Sequence, residues 1–148
     1  MSALKLIAMD GDDLTIIGAH CQDAVFHAPD ITWLPAENRF LLSLNRFVWE
    51  EAGKKPGLFS RKTYERRKAV LHFNNVDAVQ TQGIRKQDAT TVYSLLSLSF
   101  QVGEDAVSGE IVLHLAGEGA IKLSVSCVEA RLADFDAAWE TRNRPIHP

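Results

Sequence analysis

The sequence predicts an α+β domain that consists mainly of antiparallel strands. Apolar and polar residues alternate in three successive segments within residues 91–128, and glycine-containing stretches at 103–109 and 117–119 separate these segments. A period of two interrupted by glycine is typical of a β-meander with one buried face. The length of 148 residues is that of one domain, and a chain of this size buries roughly 70% of its unfolded surface. We therefore expect a single domain over residues 1–148.

The first strand of the predicted meander, 91–102, alternates imperfectly. Ser94 interrupts its apolar face, and Tyr93 and Leu95 fall on the opposite face. The predicted buried face consists of Val92, Leu96, Leu98, Phe100 and Val102. The strands predicted at 109–116 and 119–128 alternate more regularly. Gly117-Glu118-Gly119 lies between these two strands, so we expect a hairpin turn there rather than a dinucleotide-binding loop.

The N-terminal residues predict a short strand over 4–9 and a helix after it. Leu14, Ile17, Gly18 and Cys21 recur at helical spacing, which indicates a stripe packed on the core. The acidic residues from Asp10 to Asp13 supply a capping oxygen and favour the positive end of the helix dipole. A calcium loop is the alternative, but Leu14, Gly18 and Cys21 stand where an EF-hand loop has oxygen ligands.

Four further strands are predicted before the meander, at 24–34, 39–49, 68–73 and 76–82. Pro29 indicates a bulge or kink at 27–30, because proline cannot donate to a β-ladder. Strand 39–49 carries large apolar groups on both faces near its end. Phe47 and Trp49 are therefore either covered on both sides or available for a homodimer.

The C-terminal spacing of Leu132, Phe135 and Trp139 predicts a short amphipathic helix. Four strands, three strands and a closing helix resemble the order of elements in the pleckstrin-homology-like barrel, with about seven strands and an added N-terminal strand and helix. The alternative is an open antiparallel sheet with both helices on one face.

Six short stretches, distributed over the whole chain, carry a resemblance to one protein family. The stretches are Leu4–Ala8, His20–Val25, Asn38–Phe40, Leu44–Glu50, Glu65–Arg67 and Trp139–Arg142. The family that they resemble is an uncharacterised group of small bacterial proteins, the domain of unknown function number 2948. The resemblance implies no activity and no functional residues.

Charge is concentrated in one stretch, residues 54–68, which we call the basic segment. It holds seven basic residues and one acidic residue, so it carries +6 while the rest of the chain carries −9 within a net charge of −3. Gly53, Pro56 and Gly57 break its periodicity and indicate a long loop. The candidate anion- or partner-binding residues are Lys54, Lys55, Arg61, Lys62, Arg66, Arg67 and Lys68.

Three interpretations of the basic segment stay open. It is a solvated loop, a site for a phosphorylated or otherwise anionic ligand, or a docking site for an acidic protein or for the acidic remainder of a second copy. Arginine binds phosphate oxygens with two parallel hydrogen bonds, and Phe59 and Tyr64 interleave with the cations. The small net charge argues against a dedicated nucleic-acid-binding protein, which is usually strongly basic.

Catalytic and metal-binding motifs do not occur in the sequence. There is no nucleophile elbow and no pair of histidines or cysteines at metal-ligand spacing, so we expect no cofactor and no metal. His72 and His114 are predicted on polar strand faces. The alternative function is a small enzyme or ligand carrier with a pocket near His20, His27 and Trp33, which cluster in the sequence.

The cellular context is predicted from cysteine usage and hydropathy. Cys21 and Cys127 stand in apolar surroundings, which is typical of small buried thiols. The N-terminus lacks the basic start and longer apolar core of a signal peptide. No apolar run approaches the roughly 20 residues that span a bilayer. We therefore expect a cytoplasmic protein without a transmembrane segment.

Overall fold

The fold is dominated by antiparallel strands with one helix near the N-terminus. The computed structural model describes residues 3–48 and 66–135. Within these ranges the helix is α1 (Gly11–His20). The strands are β1 (Lys5–Ala8), β2 (Val25–Phe26), β3 (Ile31–Leu34), β4 (Arg39–Phe47), β5 (Arg66–Phe73), β6 (Val76–Gln82), β7 (Tyr93–Val102), β8 (Gly109–Leu115), β9 (Ala120–Val125) and β10 (Ala130–Asp134).

Hydrogen bonds connect these strands in a linear path. The order is β1-β10-β5-β4-β2-β7-β8-β9-β6, with β3 paired to β4 beside the path. Over residues 3–48 and 66–135 no pairing joins β1 to β6, so the path is open. This agrees with the open antiparallel sheet that the sequence left as the alternative, and the pleckstrin-homology-like barrel is not confirmed.

The described residues form ten strands, whereas the sequence predicted eight. One difference arises at 24–34, where Ala28–Asp30 form a 3₁₀ turn that separates β2 from β3. The other is β10, which we predicted as the start of a helix. Leu132 lies within this strand and is fully buried, because β10 pairs with β5 on one side and β1 on the other. β10 ends at Asp134, and Trp139 of the predicted helix lies outside the described residues.

The long antiparallel ladder of β5 and β10 continues into the ladder of β6 and β9. Asn74 and Asn75 join β5 to β6, and Asn75 adopts a left-handed conformation with φ 61°. The Asn74 N–H donates to the carbonyl of Glu129 and the Ser126 N–H to the carbonyl of Asn75. The backbone pairing therefore crosses the bend, and β5 and β6 do not form the hairpin that adjacent short strands suggest.

The predicted meander is confirmed as β7, β8 and β9, but part of its buried face is wrong. A register shift between Leu95 and Ser97 marks a bulge opposite β8, and a bulge reverses which side chains face the core. Tyr93 and Leu95 are consequently buried, while Val92, Leu96 and Val102 are exposed. Gly117 makes the predicted turn with φ 77°.

One hydrophobic core unites both halves of the sheet and the helix. Inward residues of β4 and β5, such as Phe40 and Phe73 with ring centroids 6.2 Å apart, belong to the same cluster as Ile111 and Leu123 of the meander. Helix α1 packs mainly on β7 and β1, with Gly18 lying close to the backbone of Leu98. The predicted cap is confirmed, because the Asp13 N–H donates to Asp10 Oδ1 (2.9 Å).

Candidate functional site

The last three residues of the basic segment, Arg66 to Lys68, begin β5, which pairs with β4. The β4–β5 ladder runs from the Phe40–Phe73 pair to the Phe47–Arg66 pair. The Arg66 guanidinium lies over the Phe47 ring, with its carbon 4.4 Å from the ring centroid. A cation over an aromatic face contributes about 0.5–1 kcal/mol at an exposed site. We call this contact, together with the neighbouring Arg67, the base of the basic segment.

Arg67, the next residue of β5, contacts a buried ionic cluster. Its Nη1 lies 3.9 Å from Asp134 Oδ2, and its side chain is only 12% exposed. The same carboxylate accepts hydrogen bonds from Arg46 Nε at Oδ1 (2.8 Å) and from Arg46 Nη2 at Oδ2 (3.1 Å). The Leu4 N–H also donates to Asp134 Oδ2 (2.8 Å). The cluster therefore joins β4, β5 and β10 to the residue before β1.

The electrostatics of this cluster favour an ionised Asp134. Burial by itself raises the pKa of the Asp134 carboxyl. The hydrogen bonds from Arg46 and Leu4 and the charges of Arg46 and Arg67 outweigh burial and hold that pKa below its usual value. Arginine suits this position because its planar fork matches both carboxylate oxygens. The arrangement stabilises a buried charge and leaves Arg67 less available to an external anion than its place in the sequence suggested.

Lys68 lies on the opposite face of β5 and lines a cleft of about 430 Å³. Asn45 of β4 is its direct neighbour across the ladder, and Ser43 shares the outward face of β4. His27 and Asp30 of the turn after β2 also line the cleft, as does Phe135, the residue after β10. The cleft is lined by His27, Asp30, Ser43, Leu44, Asn45, Lys68, Ala69 and Phe135.

The cleft contains charges of both signs. Asp30 Oδ2 accepts the backbone N–H of His27 (2.8 Å) and lies 3.8 Å from His27 Nδ1. Lys68 is exposed, and among the described residues no carboxylate lies within ion-pair distance of its ammonium. The side chains of Ser43 and Asn45 likewise have no hydrogen-bond partner within the described part of the chain. These groups can therefore bind a molecule from solution.

The predicted site residues are distributed between described and undescribed parts of the chain. Arg66, Arg67 and Lys68 lie in β5 rather than in a loop. Lys54, Lys55, Arg61 and Lys62 lie outside the described residues, as does Trp49 of the predicted dimer patch. Phe47 is half-buried beneath Arg66.

The sequence predicted an alternative pocket near His20, His27 and Trp33. Of these three residues, His27 lines the cleft. His20 lies at the end of α1. Trp33 lies in β3 opposite Phe40 and packs against the core. Neither of these two side chains lines the cleft.

The remaining reactive side chains make contacts within the protein. His72 contacts Asn74 Oδ1 (3.2 Å) and His114 contacts Ser99 Oγ (2.9 Å). Within residues 3–48 and 66–135, no group of three His, Cys, Asp or Glu residues could hold a metal. Both cysteines are free. Burial raises the pKa of the Cys21 thiol to about 12, so this thiol is a weak nucleophile.

Sequence reasoning missed Arg46 and Asp134, although the pattern contained a signal. Phe40, Leu42 and Leu44 alternate on the buried face of β4, and the next inward position is Arg46. Asp134 similarly follows Ala130 and Leu132 on the inward face of β10. A charged residue in register with a buried face requires a partner of opposite charge. Ser43, Asn45 and Asp30 were missed because their convergence depends on strand pairing.

Comparison with known proteins gives a family but no characterised relative. A family model described as "Protein of unknown function (DUF2948)" matches residues 4–147. Searches of the curated proteins and of the solved structures returned no significant match. In the described part of the chain, no helix is long and apolar enough to cross a membrane.

Proposed function

We propose that this chain, which belongs to the DUF2948 family of proteins of unknown function, is a non-catalytic binding module. Its basic segment captures an anionic ligand or an acidic protein partner. The observation that supports this most strongly is the position of the last three residues of the segment, Arg66 to Lys68. They begin β5, where Arg66 lies over the Phe47 ring and Arg67 lies beside Asp134.

Concentrated charge gives the segment its affinity for anions. It carries +6 within a chain whose remainder carries −9. A local positive potential of this kind accelerates the encounter with an anionic partner and orients it. The acidic remainder of the chain repels the same partner elsewhere, so binding is directed to the segment.

The contacts of the described residues separate two roles within the segment. Arg67 is engaged with buried Asp134, and Arg66 covers Phe47, so both hold the base of the segment. Lys68 is exposed and belongs to the cleft. We assign partner binding to Lys54, Lys55, Arg61, Lys62 and Lys68, with Arg66 contributing from its exposed side.

The test is direct binding of two defined probes, a fluorescein-labelled decaglutamate peptide and pyrophosphate. The variant Lys54→Gln, Lys55→Gln, Arg61→Gln, Lys62→Gln leaves Arg66 and Arg67 in place, so the contacts at the base of the segment remain. We expect the wild type to bind at least one probe, with affinity that falls as salt rises, and the variant to lose that binding. Unchanged binding by the variant would show that the segment is only a solvated surface.

The ligand-carrier alternative is favoured by one observation, the presence of His27 in the cleft beside Lys68. The pleckstrin-homology-like barrel, the cytoplasmic location and the bacterial origin stay predictions. The homodimer through Phe47 and Trp49 also stays a prediction. A monomer at high concentration by light scattering would contradict it.

A further inference from the structure

The cleft beside Lys68 differs from two other polar clusters on the described surface, those around Asp88 and Asp105. In each of these two clusters, the carboxylate accepts hydrogen bonds from neighbouring groups. Asp88 accepts from Thr90 and Thr91, and Asp105 accepts from Ser108 and from the backbone. In the cleft, the side chains of Ser43, Asn45 and Lys68 have no such partner among the described residues. Their hydrogen-bonding capacity is therefore directed to solvent or to a ligand.

Strand register holds these three side chains on one surface. Asn45 is paired with Lys68 on one side and with Val25 on the other. Ser43 precedes Asn45 by two residues and so shares its face. Leu42 and Leu44, at the alternate positions, are buried in the core, which keeps β4 from rotating. The polar surface of the cleft is preorganised because a packed strand presents it.

Asp30 supplies the opposite charge within the cleft. Its Oδ2 is engaged by the His27 N–H, which fixes the turn, and its side chain remains 39% exposed. A fully anionic ligand such as a phosphate would meet repulsion from this carboxylate. A ligand with a negative and a positive end would place one at Lys68 and the other at Asp30.

The apolar contribution comes from Phe135, which lines the cleft and is 39% exposed. The cleft volume of about 430 Å³ lies in the lower part of the range for small-molecule sites. An aromatic or aliphatic side chain of the ligand would cover Phe135 and remove apolar surface from water.

We propose that this cleft is a binding site for a small zwitterion of the free α-amino acid class. The ligand carboxylate binds Lys68, with hydrogen bonds from Asn45 and Ser43. The ligand ammonium binds Asp30, and an apolar ligand side chain packs on Phe135. This site goes beyond the proposed function, with which it shares only Lys68, and it does not require the basic residues at 54–62.

The test compares three related probes by calorimetric titration of the full chain. They are L-phenylalanine, which carries both charges, N-acetyl-L-phenylalanine, which lacks the cation, and L-phenylalaninamide, which lacks the anion. We expect saturable binding of L-phenylalanine and at least about tenfold weaker binding of the other two, since a charge-assisted hydrogen bond contributes about that factor. Equal binding of all three probes would overturn the proposal. So would the absence of saturation at L-phenylalanine concentrations up to about 10 mM.

Two variants assign each charge to its residue. Lys68→Gln should weaken L-phenylalanine binding about tenfold and remove the preference over the amide. Asp30→Asn retains a side-chain carbonyl to accept the His27 N–H, and it should remove the preference over the N-acetyl form. Lys122→Gln and Asp12→Asn are the matched controls and should bind as the wild type does. Wild-type preferences in both cleft variants would overturn the site.

The outcome is distinguishable from that of the proposed function. The variant altered at 54, 55, 61 and 62 should bind L-phenylalanine normally even where it no longer binds decaglutamate. Asp30→Asn keeps every basic residue and removes a repelling carboxylate, so it should bind decaglutamate at least as tightly as the wild type does. A failure of one probe set therefore leaves the other proposal standing.

Discussion

Arg46 and Asp134, which lie 88 residues apart in the chain, form a two-point ion pair in the protein interior. Their hydrogen bonds are 2.8 and 3.1 Å long, and both side chains are almost completely buried. Asp134 also binds the backbone N–H of Leu4. One carboxylate thereby connects the start of the described chain, Arg67 of the basic segment and β10.

Replacing Asp134 with asparagine should strongly destabilise the fold. The substitution leaves Arg46 buried without a counter-charge, and such a loss typically costs about 3–5 kcal/mol. Urea denaturation monitored by tryptophan fluorescence gives the free energy of unfolding. The exposed Asp12→Asn is the control and should change this free energy by less than about 0.5 kcal/mol. A loss below about 1 kcal/mol for Asp134→Asn would mean that the pair contributes little.

The pH dependence of stability should report the same carboxylate. The pKa of Asp134 is held below its usual value in the folded protein. The unfolded chain therefore takes up the proton first as pH falls through about 3.9. The stabilisation is complete above that pH and is lost as pH falls through the depressed folded pKa. We expect Asp134→Asn to show a shallower acid slope than the wild type in urea titrations, and equal slopes would contradict the ionised pair.

His72 should produce a separate step at higher pH. Burial, followed by the charge of Arg39, lowers the pKa of His72 in the folded protein. The unfolded chain then binds the proton more readily, so stability should fall as pH decreases through about 6.5. His72→Gln should flatten the dependence between about pH 7.5 and pH 5.5. The measurement is the urea midpoint at several pH values, and an unchanged dependence in the variant would refute the assignment.

Gly109 should tolerate no side chain at the start of β8. A Cβ at this position would overlap the carbonyl oxygen of Gln101 and approach the Phe100 ring, where β8 pairs with both β7 and β9. We expect Gly109→Ala to lower the free energy of unfolding by about 1–3 kcal/mol or more. Gly117→Ala is the comparison, because that site has open space and only its positive φ to oppose alanine, at about 1 kcal/mol. The reverse order of the two losses would contradict the register of the meander.

Much of the fold was predictable because it depends on local patterns. Glycine turns and a period of two located the meander, and Asp10 marked the start of α1. The buried face of β7 was not predictable, since the bulge near Leu96 depends on its pairing with β8. The spacing of Leu132 and Phe135 fits a helix, but β10 pairs with β5 and β1, and this pairing places Leu132 in a strand.

The candidate site was predictable in charge but not in geometry. Clustered basic residues identified the segment, whereas the division between Arg67 facing Asp134 and Lys68 facing the cleft follows from strand alternation and the β5–β10 pairing. Asp30 and Asn45 are far apart in sequence and meet only because the strands and the turn fold together.

The most direct test of the central claim compares two variants with the same net charge of −7. One has glutamine at Lys54, Lys55, Arg61 and Lys62. The other has glutamine at Lys5, Arg85, Lys86 and Lys122, which lie outside the basic segment. Fluorescence anisotropy of labelled decaglutamate at low salt should show binding by the wild type and the second variant, with loss of binding in the first. Equal losses in both variants would show that only overall charge matters, and the basic segment would then not be a binding site.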